Sequence, residues 1–151
     1  MSDLKARLKA DLHTAMKARD GLTLATLRMS LTAITNEEVA GKTPRVLTDD
    51  DVLKVLGREA KKRREAAEAF DAAGRPELAE RERAEGLVLQ GYLPTQLGDD
   101  ELAALVRSAI VESGVSTPTM GVVMRIVQPR AAGRVDGKRL SDEVRRQLSA
   151  G

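Results

Sequence analysis

The sequence predicts an all-α protein: an N-terminal helical bundle over residues 1–97, followed by a small C-terminal three-helix domain over residues 98–151. Three observations carry this expectation. Apolar residues recur at three- and four-residue steps nearly everywhere, and no strand-like alternation competes. Charged residues make up 32% of the chain and aromatics 1%, a balance suited to solvent-facing helices. Glycine and proline crowd one stretch, Gly91-Tyr92-Leu93-Pro94-Thr95-Gln96-Leu97-Gly98, and break the helical pattern there.

Leu4, Leu8, Leu12 and Met16 mark a first helix, closed by Asp20-Gly21. Leu24, Leu27, Leu31 and Ile34 mark a second, which ends before Gly41-Lys42-Thr43-Pro44. So short a turn lets two antiparallel helices bury one seam. Thr48 is a good N-cap, and Asp49, Asp50 and Asp51 suit the positive first turn of a third helix over 49–73. Val52, Leu56, Ala60, Ala67 and Phe70 are its expected inward residues. At 1.5 Å per residue it reaches about 37 Å. Gly74 stops it, and Pro76 suits the first turn of a fourth, in which Leu78, Leu87, Val88 and Leu89 are expected to be buried. Past the break, Asp99 is the expected cap of a helix with Leu102, Leu105, Val106, Ala109 and Ile110, and Gly114 is its stop. Thr117-Pro118 opens the next, with Met120, Val123, Met124 and Val127, and Pro129 is expected to limit its length. Asp136 caps the last, with Leu140, Val144 and Leu148.

Composition excludes several chemistries. The chain of 151 residues has no cysteine, so disulfides, thiolate metal sites and cysteine nucleophiles are absent. It has one histidine, His13, which excludes paired-histidine chemistry within one chain. Phe70 and Tyr92 are the only aromatics, too few for a surface that stacks single-stranded bases. The start, Met1-Ser2-Asp3-Leu4-Lys5, lacks the apolar core of a signal peptide, and the strongly apolar run 102–106 is far too short to cross a bilayer. A cytoplasmic protein with no membrane partner is expected.

Net charge is only +2, but from Arg125 onward seven basic residues face three acidic ones, a local excess of +4. Arginine outnumbers lysine 17 to 8, and its fork suits phosphate. The stretch Gly133-Arg134-Val135-Asp136-Gly137-Lys138-Arg139 is the nearest approach to a phosphate loop. It has three residues between its glycines where a Walker loop needs four, and Arg139 stands where Ser or Thr would bind Mg²⁺. It reads either as a looped anion contact or as a plain inter-helix turn. Consecutive helical residues diverge by about 100°, so Asp49, Asp50 and Asp51 read as helix capping rather than a metal site. His13 has no second ligand nearby in sequence and reads as a surface or partly buried residue. Tyr92 reads as a packing anchor between the domains. Arg58 and Lys61-Lys62-Arg63-Arg64 read as a solvated face or a phosphate-backbone contact. No nucleophile–base pair or carboxylate dyad stands out, and no catalytic residue, metal or cofactor is expected.

The chain resembles the YqeY family, whose C-terminal half is similar to the tail domain of the GatB subunit of tRNA-dependent amidotransferases. In the N-terminal part the resemblance rests on Leu27-Arg28, Asn36-Glu37, Arg64-Glu65-Ala66, Phe70, Gly74-Arg75, Glu82 and Glu85. Tyr92-Leu93-Pro94 continues it, then Met120-Gly121, Met124, Pro129, Gly133-Arg134, Asp136-Gly137-Lys138 and Val144. It implies an all-α protein that grips tRNA without catalysing its amidation, since the kinase and amidase chemistry of the amidotransferase lies in other domains. It also implies RNA-facing positions at Arg130, Gly133, Arg134, Gly137 and Lys138, with Arg125 and Arg139 nearby. Val122 and Ala132 stand where relatives often carry lysine. The implied partners are tRNA and a tRNA amidotransferase or another protein. A small helical protein–protein adaptor is the alternative, and an enzyme of unrecognised type is third.

Overall fold

The computed structural model describes residues 2–131 and 133–150, so Ala132 lies outside the described residues. Among these the chain forms seven helices and no strand: α1 (Asp3–Ala18), α2 (Gly21–Glu38), α3 (Asp49–Ala72), α4 (Pro76–Gln90), α5 (Asp99–Ser113), α6 (Met120–Ala131) and α7 (Gly137–Ala150). The protein is all-α. It divides into two compact units, Met1–Leu93 and Pro94–Gly151.

In the first unit, α1 and α2 form a hairpin against α3 and α4. Leu8, Leu27, Ile34, Val52, Val55, Leu56 and Leu89 are buried together, with Leu4, Leu12 and Leu31 packed on them. Met16, expected on the buried stripe of α1, is 47% exposed, and Ala15 is buried in its place. The reason is the helical period. Steps of four residues drift by about 40° each, so Met16 lies about 120° from Leu4 while Ala15 lies about 20° from it. Leu87 is likewise exposed rather than buried. Leu87, Val88 and Leu89 are consecutive and diverge by about 100° each; Leu89 is buried in the core and Val88 packs partly buried against it, while Leu87 faces away. Gly21 does not close α1. Arg19 takes the left-handed conformation, and Asp20 caps α2 by accepting the Thr23 N–H at 3.1 Å.

The capping box of α3 joins Thr48 and Asp51, each side chain accepting the other's backbone N–H. Asp49 accepts the Leu4 N–H at the start of α1. Gly74 is left-handed at φ +71°, and Arg75 N–H closes back on the Phe70 carbonyl at 2.8 Å, a Schellman ending.

The second unit packs α5, α6 and α7 around Leu102, Val106, Ala109, Val123, Val127, Leu140 and Val144, with Leu97 joining from the preceding segment. Three expected boundaries shift. Asp99 is the first residue of α5, behind Gly98, whose N–H meets the Glu101 carboxylate at 3.4 Å. Thr119, not Thr117, caps α6 by accepting the Val122 N–H. The helix α6 also runs through Pro129 to Ala131. Proline removes one backbone donor, that to the Arg125 carbonyl, yet the helix continues for two residues beyond it and buries Ala131.

Candidate nucleic-acid interface

The α6–α7 turn begins with Gly133 in the left-handed region at φ +72°. The Arg134 N–H donates to the Ala131 carbonyl at 2.9 Å, which closes the end of α6. Asp136 then caps α7 by accepting the Arg139 N–H at 2.9 Å, as its position in the sequence suggests.

This turn holds the segment entering the unit. Leu97 N–H donates to the Arg134 carbonyl at 2.8 Å, and the Gln96 amide donates to the Gly133 carbonyl at 2.9 Å. The Arg139 guanidinium forks, one nitrogen reaching the Leu97 carbonyl at 2.7 Å and the other the Asp99 carboxylate at 2.6 Å. Arg134 Nε points to the Thr95 carbonyl at 3.5 Å. Arg134 and Arg139 therefore both serve the chain's own backbone.

The other named positions stand differently. Arg130 pairs with Glu112 at 2.5 Å. Lys138 is 78% exposed and meets Asp142 only at 3.6 Å, while Arg145 holds the same carboxylate at 3.1 Å. Arg125 is exposed and makes no ion pair among the described residues. Gly137 is the first residue of α7 with open space where a side chain would stand, so no close approach within the chain requires it. The Asp136 carboxylate stands at the start of α7, so a phosphate there must be met by side chains rather than by helix amides. Elsewhere on α7, Arg146 and then Gln147 hydrogen-bond Glu143 and hold its carboxyl well down, at about 2.

The clasp partners Gln96, Leu97 and Asp99 lie about forty residues from the turn, and no local pattern signals them. A second arrangement without an obvious signal is the charge cluster of the first unit. Arg63 lies between Glu59, Glu82 and Glu85, with Glu85 at 3.3 Å and the other two at 3.8 Å. Glu59 and Glu85 are buried, and Lys62 and Arg81 reach them from the rim.

Tyr92 belongs to the first unit. Its hydroxyl donates to Asp11 at 2.5 Å beneath the Arg7 guanidinium, and burial followed by that bond raises the phenol above its ordinary range. His13 is exposed. No group of carboxylates or histidines among the described residues is placed to hold a metal ion. Among the described residues no helix is long and apolar enough to cross a membrane.

A family model described as Yqey-like protein matches residues 5–148. The protein named altered inheritance of mitochondria protein 41, mitochondrial, from Pyrenophora tritici-repentis is 34% identical over 152 residues, covering 95% of this chain and 80% of the relative. An uncharacterised protein of Schizosaccharomyces pombe is 39% identical over 93 residues, covering 61% and 73%. The Clavispora lusitaniae protein of the same mitochondrial name is 34% identical over 90 residues, covering 60% and 51%. With the match running through both units and the whole α6–α7 turn, the chain belongs to the YqeY family.

Proposed function

We propose that this protein is a non-catalytic accessory of tRNA metabolism whose C-terminal unit holds the phosphate backbone of folded RNA. The observation that carries the reading is a division of labour among the cations. The Arg134 backbone and the Arg139 guanidinium build the turn, while Arg125 and Lys138 remain turned to solvent with no close partner or a loose one. Arg130 adds a third exposed cation, although Glu112 must release or share it. Cations on a helical unit suit the shape and phosphates of folded RNA, and the scarcity of aromatics leaves base stacking little role. In this reading, amidation chemistry belongs to a tRNA amidotransferase beside which the protein acts in the cytoplasm.

A second reading, a protein adaptor, is favoured by Val111 and Val115, which stand 75% and 46% exposed on the same unit. A tagged pull-down from lysate, with and without ribonuclease, separates the two. The first reading expects tRNA among the recovered molecules and partners that ribonuclease releases. Recovery of the same proteins regardless of ribonuclease, with no tRNA, supports the adaptor.

A further inference from the structure

We propose a second phosphate-contacting surface on the first unit, made by Lys54, Arg58 and Lys61 around Gly57 at the middle of α3, for the sugar–phosphate backbone of folded RNA. The inference rests on the RNA reading above and extends it to a surface outside the C-terminal unit. On a helix these three cations fall within about 60° of one another and span about 10 Å along the axis. Lys54 is exposed and forms no ion pair among the described residues, lying only within electrostatic range of Asp51. Arg58 is 60% exposed and shares Glu37 with Arg45, so one carboxylate serves two guanidiniums. Lys61 meets Glu65 only at 4.0 Å.

Gly57 supplies the independent observation. It stands inside a 24-residue helix, one turn after Lys54 and one turn before Lys61, with ordinary helical geometry. A Cβ there would meet nothing within 4 Å, so no close approach to that position requires glycine. Glycine weakens a helix interior. A bare patch of backbone flanked by cations is what a close-approaching backbone of negative charge would use. The acidic residues Asp50 and Asp51 before the row, and Glu65 and Glu68 after it, lie on or beside the same side of α3, which limits the surface to its middle turns.

The test measures binding of fluorescently labelled tRNA to the full chain across a salt titration, with helicity and melting followed in parallel. Gly57→Leu should keep or raise the melting temperature and weaken binding at least fivefold. The triple variant Lys54→Gln, Arg58→Gln, Lys61→Gln should reduce the slope of log K against log salt by roughly two to three. If the parent binds, Arg125→Ala with Lys138→Ala weakens it, and both α3 variants bind like the parent, this surface is refuted and the C-terminal reading stands. If the parent shows no salt-dependent tRNA binding, the RNA reading fails and this inference falls with it.

Discussion

Arg139 directs its guanidinium at its own chain. One arm meets a backbone carbonyl and the other a carboxylate whose side chain is almost fully exposed. The carbonyl bond is the stronger contribution, because an exposed ion pair adds little. Arg139→Ala should therefore cost the second unit about 1–2 kcal/mol, read by denaturant unfolding. Arg139→Lys should recover only part of it, since an ammonium cannot fork across two acceptors. The same variant should speed proteolysis within 94–98, which the clasp otherwise holds down; unchanged cleavage would show that the clasp is not what holds this segment. Glu143 gives a pH test. Its folded carboxyl sits at about 2, below the ordinary 4.5, because Arg146 and then Gln147 bond the charged form. A depressed acid contributes stability above its unfolded pKa and loses it as pH falls through the folded value. The second unit should lose that contribution between about pH 4.5 and pH 2, and Glu143→Gln should flatten the dependence in that window.

At the scale of elements, the α3–α4 pair shows how polar residues can define a seam. Beyond Leu56 and Leu89 the buried positions are small, Ala67 and Ala79, and alanine seams tolerate sliding. Arg63 between three carboxylates fixes one register. Arg63→Ala leaves Glu59 and Glu85 buried without their shared partner and should cost about 3–5 kcal/mol, measured by chemical denaturation. A loss below about 1 kcal/mol would mean that the rim cations Lys62 and Arg81 suffice. This cluster also shows where sequence reading stops. Arg63 looks like one of four consecutive surface cations, and only the pairing of α3 with α4 places it among carboxylates from another helix. Helix existence, by contrast, was plain from the apolar period, and so were the Thr48 and Asp136 caps and the Gly74 and Gly114 stops, because those signals are local. The errors were of phase and of terminal context. A four-residue step carries Met16 off the buried face, Leu87 faces away from the core that takes Leu89, and α6 continues through Pro129. At the candidate interface the basic excess was visible, but which cations are engaged was not. The partners of Arg134 and Arg139 come from residues far away in the chain.

For the molecule as a whole, membership in the YqeY family joins two helical units in one chain, and the proposed role depends on cations that the fold leaves unengaged. The most direct measurement is tRNA affinity of the full chain over a salt series, comparing the parent with Arg125→Ala, Lys138→Ala and with a control, Lys9→Ala, Lys17→Ala. The control removes the same charge from exposed positions on α1. Parent binding should weaken steeply with salt, because neutralised phosphates release counterions. The Arg125–Lys138 variant should lose on the order of 1–3 kcal/mol and about two from the salt slope, alike for tRNAs of the same shape. The control should bind like the parent. Parent binding that is absent or insensitive to salt, or equal binding by the Arg125–Lys138 variant and the control, would contradict the C-terminal grip on RNA.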